Sequence, residues 1–265
     1  MNILDKIVAN TRKEVEQRKL QVSIQELENS PLFGRSTYSM SELLVHPEKS
    51  GIIAEIKKQS PSKGIINDKV SVKEVGIGYE KAGASAISVL TDMEFFGGKM
   101  EYLTAVRKEV NIPILRKDFI IDEYQLLEAK AIGADVVLLI AACLSPTKLE
   151  YLAKFAQDLD LEILMEVHDK EELDRSINPY LNVVGVNNRN LKTFETSIQT
   201  SLDLVDYIPN EFKKVSESGL KDASTILELR KAGYDGFLIG ETFMKTELPW
   251  HCLLYTSDAA DEEDS

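Results

Sequence analysis

The sequence predicts an α/β fold, a (β/α)8 TIM barrel, preceded by a helical N-terminal extension. Three observations carry the prediction. First, short segments rich in Ile, Val and Leu alternate eight times with amphipathic segments of helical period, and no Pro/Gly-rich linker interrupts them. Second, a helix end, a glycine and an aliphatic run recur in KAGASAISVL, AIGADVVLLI and KAGYDGFLIG, with Gly83, Gly133 and Gly233 spaced by 50 and 100 residues. A βα unit of about 25 residues fits twice into such a period, and eight units fill about 200 to 250 residues. Third, the length of 265 residues suits one barrel, since α/β barrels commonly run to about 250 residues as a single domain.

Residues 1–50 precede the first strand and form the partly helical extension. The barrel takes residues 51–251, with strands expected near 52–57, 86–90, 113–116, 135–140, 162–166, 183–187, 213–216 and 236–239. Most of these lack a polar face, as parallel strands covered on both sides do. The helices between them are SVKEVGIGYEKAG, EYLTAVRKEV, DEYQLLEAKAIG, SPTKLEYLAKFAQ, DKEELDRSI, TSLDLVDYI and DASTILELRKAG. Ser145-Pro146 and Asp222 are N-terminal signals, and the repeated glycines are C-caps, where a left-handed backbone costs glycine little. The segment CLLYTSDAADEEDS, residues 252–265, shares no period with the rest and resembles translated sequencing-adapter DNA. It is expected to be a non-native, poorly packed tail, so burial of Leu253, Leu254 and Tyr255 would count against that expectation. Leaving out its five acids changes the net charge from −13 to −8 and leaves Cys143 as the one native cysteine.

Composition excludes several classes. An acidic chain does not offer the basic face of a nucleic-acid binder. The longest apolar run, VVLLIAACL, is far short of the roughly 20 residues needed to span a bilayer. The charged N-terminus does not read as a signal peptide, and two cysteines make no disulfide scaffold, so a reducing cytoplasm is expected. His46, His168 and His251 are too scattered for a metal site and read as satisfied or surface residues. No P-loop or GxGxxG is present, so nucleotide cofactors have no support. Cys143 reads as core, and Trp250, beside the tail, supports no assignment.

The charges cluster by position. Side chains alternate along a strand, so Glu55 and Lys57 in AEIKK point the same way, about 7 Å apart. Lys117, Glu166, Asn187, Arg189 and Glu217 likewise stand at the C-terminal ends of their strands. In a barrel those ends meet at one mouth, where three acids and three cations can tune one another for acid–base chemistry. Ser218-Gly219 and Gly240-Glu241-Thr242 follow the last two strands, the usual place of a phosphate cradle in this fold. Ser60-Pro61-Ser62 in the first loop can close over the same site.

The ordered motifs AEIKKQSPSKG, LTDMEFFGG, LRKDFIID, LLIAACL, MEVHD, VNNRNL, SESG and LIGETFM, with the N-terminal ILDKIVANTRKEVEQRK, resemble the indole-3-glycerol phosphate synthase family from residue 3 to about 250. The resemblance implies a cofactor-free carboxy-lyase of tryptophan biosynthesis acting on 1-(2-carboxyphenylamino)-1-deoxyribulose 5-phosphate. It implies Lys117 as general acid, Glu166 as general base, and Lys57 as partner of the substrate carboxylate. Glu55 and Asn187 match positions tied to positioning and dehydration, and Glu217 and Arg189 match further residues of the cup. Phosphate contacts carry over to Ser60, Ser218, Gly219, Gly240 and the backbone N–H of Glu241. An apolar wall for the anthranilate ring carries over to Pro61, Phe96, Phe119, Leu138, Ile140 and Leu191. The partner implied is a small phosphorylated substrate, with no nucleic acid and no membrane, and the chain itself a monomer or weak homo-oligomer. A closing helix is implied after Pro249, and its replacement by the tail is expected to lower stability rather than alter chemistry. The alternatives are another phosphate-binding barrel isomerase, a Schiff-base aldolase using Lys57 or Lys117, and a non-catalytic barrel binding module.

Overall fold

Eight parallel strands close into a barrel in the computed structural model, which describes residues 3–61, 63–190 and 193–253. In chain order they are β1 Ile52–Ile56, β2 Ala86–Leu90, β3 Ile114–Lys117, β4 Val136–Ile140, β5 Glu162–Val167, β6 Val183–Asn187, β7 Lys213–Glu217 and β8 Gly236–Ile239. Each pairs with its neighbours in sequence, and β1 closes the ring on β8 through Ile53 opposite Leu238. The eight strands lie where the sequence puts them, shifted at their ends by about one residue.

The two-residue period sorts the strand residues into two cores. Ile53, Leu115, Leu138, Leu164, Val183, Val215 and Leu238 fill the barrel interior. Ile52, Ala54, Ile87, Ile114, Val137, Ile163, Val184 and Phe237 face the surrounding helices. Following each inward row toward the C-terminal end, apolar residues give way to Glu55, Lys117, Glu166, Asn187 and Glu217. The register Asn187↔Glu217 and Ile140↔Glu166 brings these residues to one level at the mouth.

Between the strands run α4 Val72–Lys81, α5 Met100–Arg107, α6 Glu123–Ile132, α7 Pro146–Asp158, α8 Lys170–Ser176, α9 Gln199–Leu204 and α10 Ala223–Ala232. Ser71, Asp122, Ser145, Asp169 and Asp222 cap their N-termini with side-chain oxygens, which satisfies otherwise unpaired N–H groups. Gly133 and Gly233 end α6 and α10 at φ of 93° and 113°, the left-handed C-cap predicted from the repeat. The segment expected to form one helix over TSLDLVDYI splits into α9 and a 3-10 turn at Val205–Tyr207.

The extension holds α1 Ile3–Gln21, α2 Ile24–Glu28 and α3 Met40–Leu44. Met40 and Leu44 plug the N-terminal end of the barrel. There Glu162, at the start of β5, accepts from the N–H groups of Met40 at 2.8 Å and Ser41 at 2.9 Å. α1 is tied to the barrel by Arg18, whose Nε is 2.6 Å from Glu128 Oε1. Glu128 also holds the fully buried Arg116 of β3, at 3.3 Å.

The C-terminal end departs from the expectation for Leu253. Residues 249–253 are helical, and Leu253 is fully buried in the helix-side core. Trp250 packs against α4 so closely that a Cβ on Gly78 would lie 2.3 Å from the indole, so this residue has a structural role the sequence did not suggest. Leu254, Tyr255 and the remaining tail lie outside the described residues. Among the described residues no helix is long and apolar enough to cross a membrane.

Candidate active site

A cavity of about 640 Å³ opens at the C-terminal end of the barrel. Lys117 stands at its centre, with Nζ 2.6 Å from Glu217 Oε2 and 3.3 Å from Glu166 Oε2. Lys57 Nζ donates to Glu55 Oε1 at 2.6 Å, as their shared strand face requires. The three carboxylates are almost wholly buried.

Burial opposes charge on each group, and the neighbours decide the outcome. Burial disfavours the Lys117 ammonium, but Glu217, Glu166 and Glu55 outweigh it and hold its pKa well above the ordinary range. Burial also raises Glu55, yet Lys57 and Lys117 bring it below the usual value. Glu166 is lowered despite burial by Lys117, by His168 and by a hydrogen bond from Asn187. Glu217 goes the other way, up to about 7: burial raises it, and Glu166 and Glu55 add to that against the pull of Lys117. Three carboxylates sharing two ammonium groups leave one acid able to hold a proton near neutrality.

Two glycines make room for these groups. A Cβ on Gly185 of β6 would lie 2.4 Å from Glu217 Oε1, and one on Gly240 would lie 2.4 Å from Glu55 Oε1.

One side of the cavity is apolar. Phe96 and Phe119 lie with ring centroids 6.0 Å apart and planes tilted by 34°, beside Pro61, Leu138 and Ile140. Asp92 sets the turn that carries Phe96, accepting from the N–H groups of Phe95 at 2.8 Å and Phe96 at 3.1 Å. Burial pushes this carboxyl up to about 6 against those two hydrogen bonds. Ile3, Leu4 and Ile7 of α1 complete the apolar side.

The opposite side is polar. Ser218 and Gly219 follow β7 at φ of 68° and 77°, consecutive left-handed residues whose N–H groups can face one anion. Asn188 stabilises this turn. Its Nδ2 donates to the Ser218 carbonyl at 3.0 Å and to Ser216 Oγ at 3.0 Å, while its Oδ1 accepts from Ser201 N–H at 3.1 Å. Gly240 leads into the short helix α11 Glu241–Met244. The Glu241 side chain pairs with Lys245 at 2.7 Å and Arg189 at 3.4 Å. Ser60 Oγ is buried at the cavity edge with no hydrogen-bond partner among the described residues. Ser60 lies in a small antiparallel hairpin, Gln59–Ser60 with Gly64–Ile65, that the sequence reading missed.

The structure gathers nearly every expected site residue into this cavity: Glu55, Lys57, Ser60, Pro61, Phe96, Lys117, Phe119, Leu138, Ile140, Glu166, Asn187, Arg189, Glu217, Ser218, Gly219, Gly240 and Glu241. Leu191 lies outside the described residues, as does Ser62. Asp118, Lys63, Lys221, Lys245 and the α1 residues also line it and were not anticipated. His168, read as a satisfied or surface residue, is mostly buried, with Nε2 3.4 Å from Glu166 Oε1. The two-residue spacing that joined Glu55 to Lys57 also joins Glu166 to His168, so the signal was present. Cys143 packs against both cores, as expected, and burial raises its thiol above the usual range.

Comparisons with known proteins agree with this geometry. The family model described as indole-3-glycerol phosphate synthase matches residues 4–249. A curated relative of that name from Bacteroides thetaiotaomicron is 48% identical over 252 residues, covering 95% of this chain and 96% of the relative. One from Salinibacter ruber is 46% identical, covering 96% and 94%, and one from Campylobacter fetus is 42% identical, covering 92% and 95%. Among solved structures, 3-hexulose-6-phosphate synthase from Salmonella typhimurium superposes with a TM-score of 0.64 at 10% identity, covering 80% of this chain and 98% of that one. Thiamine phosphate pyrophosphorylase from Pyrococcus furiosus gives 0.59 at 17% identity, covering 84% and 98%. At such low identity these two likenesses concern the fold alone.

Proposed function

The chain belongs to the indole-3-glycerol phosphate synthase family, and on that premise we propose that its barrel mouth closes the indole ring of 1-(2-carboxyphenylamino)-1-deoxyribulose 5-phosphate, with loss of CO2 and water. Phe96, Phe119, Pro61, Leu138 and Ile140 hold the anthranilate ring, because an aromatic face gains from desolvated apolar contact. Lys57 meets the ring carboxylate. The ring carbon bearing that carboxylate attacks the ribulose carbonyl carbon, and Lys117 gives its proton to the carbonyl oxygen. The ring then carries iminium character. The electrons of the bond to the carboxylate return to the ring, CO2 leaves, and aromaticity is restored. The hydroxyl made from the carbonyl departs as water on taking a proton from Lys57, and Glu166 takes the proton lost from the neighbouring ring CH2 as the new double bond forms; exchange with solvent then restores the lysines and Glu166. Glu55 and Asn187 orient Lys57 and Glu166, Glu217 orients Lys117, and Arg189 faces the polar sugar chain. The N–H groups of Ser218, Gly219, Gly240 and Glu241, with the Ser60 hydroxyl, take the phosphate.

The observation that carries this reading is Lys117, clasped by Glu217 and Glu166 in the same cavity as an aromatic pair and a left-handed Ser-Gly turn. A Schiff-base aldolase would form an imine on Lys57 or Lys117 that borohydride traps with a carbonyl substrate, whereas this reaction passes through no imine with a lysine. The test is fluorescence detection of indole-3-glycerol phosphate with the named substrate. Lys117→Met is expected to lower turnover by at least about a hundredfold, the scale of a lost general acid, while calorimetry still detects substrate binding. Wild-type turnover in this variant rejects Lys117 as the acid.

A further inference from the structure

His168 lies just past the end of β5, two residues after Glu166, and its ring bridges that carboxylate to a helix outside the barrel. Nε2 is 3.4 Å from Glu166 Oε1, while the other oxygen of Glu166 faces Lys117 at 3.3 Å. On its far side the imidazole Nδ1 is 3.1 Å from Glu172 Oε2, which also accepts the His168 N–H at 2.9 Å. Glu172 lies in the first turn of α8, where its own N–H donates to Asp169 at 2.8 Å. Arg175 of the same helix donates to the Ala141 carbonyl at 3.1 Å and fixes α8 against the segment after β4. The His168 and Glu172 side chains are only 12% and 15% exposed. The mechanism above uses neither of them.

We propose that His168, held by Glu172, is a positioning residue for Glu166, fixing the carboxylate from the side opposite Lys117 and sharing its charge. The proposal rests on the reading of Glu166 as the base. Oε2 of the carboxylate is hydrogen-bonded to Lys117, while Oε1 faces Nε2 at 3.4 Å, an ion-pair distance without a hydrogen bond, so the hold on this side is electrostatic. Positional errors of about 1 Å at a reacting group can lower rates about a hundredfold. The charges around the ring agree with the geometry. Burial disfavours the imidazolium, but the Glu172 hydrogen bond and the carboxylates of Glu166, Glu172 and Glu217 outweigh it and raise the pKa of His168. The charged groups acting on the ring are Glu166 on β5, Glu172 on α8 and Glu217 on β7; Lys117 on β3 faces Glu166 from its other oxygen, and the Cys143 thiol after β4 lies near Glu166 and Glu172. In return the imidazolium helps to hold Glu166 below its ordinary value. While the ring is protonated it favours the ionised base; without that charge, the base protonates more readily as the pH falls.

Two measurements on the whole chain test this. The first is NMR titration of the imidazole signals. With only three histidines, the His168 signal is assigned by its loss in His168→Asn. It is expected to titrate above the ordinary imidazole value of about 6.5, and Glu172→Gln is expected to lower it. A midpoint at or below the ordinary value overturns the charged bridge, whatever the enzyme's activity. The second is the pH profile of kcat. In His168→Asn, kcat at neutral pH is expected to fall about tenfold with KM changed less than about twofold. Its acid limb should move up by roughly one pH unit or more, and that of Glu172→Gln by a smaller amount in the same direction. A His168→Asn profile that overlays the wild type sinks the proposal. So does a uniform loss of kcat with a lowered Tm and an unmoved acid limb, because that is the mark of a purely structural role. Absence of ring closure in the wild-type chain would count against the reaction, and the titration would still decide whether the bridge is charged.

Discussion

Glu55 and Lys57 are two residues apart, and the strand pleat that turns both inward brings the ammonium to 2.6 Å from the carboxylate. Such pairs were legible because a strand end gives each side chain a face as well as a position. Lys117, Glu166, Asn187 and Glu217 could be read in the same way. His168 obeys the rule too: it stands two residues after Glu166 and turns toward it, while Nδ1 is satisfied by Glu172, a partner on the following helix that strand spacing does not reveal. Gly185 and Gly240 were illegible as makers of space, since a missing side chain takes its meaning from what packs against it. Gly240→Ala tests that meaning. A Cβ at Gly240 would lie 2.4 Å from Glu55 Oε1 and 2.9 Å from Glu55 Cβ, too close for both side chains to keep their places. Alanine must push Glu55 away from Lys57, and kcat is expected to fall by about tenfold to a hundredfold. The fold should lose no more than the roughly 1 to 3 kcal/mol of an overpacked site. Steady-state kinetics with a thermal melt reads both, and an unchanged kcat means that Glu55 need not stand where it does.

The strands and most helices were legible because period, caps and glycine stops agreed, as at Asp122 and Gly133 around α6. The hairpin of Gln59–Ser60 with Gly64–Ile65 was not, because two-residue strands leave no periodic trace. The docking of α1 over the mouth was also hidden. Its apolar positions show that a face is buried, but not that Ile3, Leu4 and Ile7 line the cavity. The turn after β7 depends on a residue from the neighbouring strand's loop. Ser218 is a non-glycine residue at φ of 68°, a conformation that persists only where the surroundings hold it. Asn188 supplies that hold through its bond to the Ser218 carbonyl. Asn188→Leu keeps the approximate volume and removes the donor. KM for the phosphorylated substrate is expected to rise about tenfold, and inhibition by inorganic phosphate to weaken in parallel, with kcat at saturation changed less. An unaltered inhibition constant for phosphate would separate the Ser218-Gly219 turn from phosphate binding.

Across the whole barrel, the inward rows change from apolar to charged along one axis. The end plugged by Met40 and Leu44 serves stability, and the end holding Lys117 works against it. Three carboxylates and two ammonium groups crowd one buried level, and Glu217 bears the unfavourable remainder, with its pKa raised from 4.5 to about 7. A carboxyl that binds its proton more tightly when folded than when unfolded supports the fold while it is protonated. That support is complete below the unfolded value of 4.5 and fades as the pH rises through about 7. Glu217→Gln replaces the group with a neutral side chain of nearly the same shape at every pH. Near pH 5 the two proteins should therefore melt at similar temperatures. Near pH 8 the variant should be the more stable, by an amount on the order of 2 to 3 kcal/mol. Its turnover should be lower at the same pH, because Lys117 has lost the carboxylate 2.6 Å away that orients it. Melts at several pH values between those limits decide the matter. A stability difference that stays constant across the range means that Glu217 is ionised throughout and that the strain of the charged mouth is carried by another group.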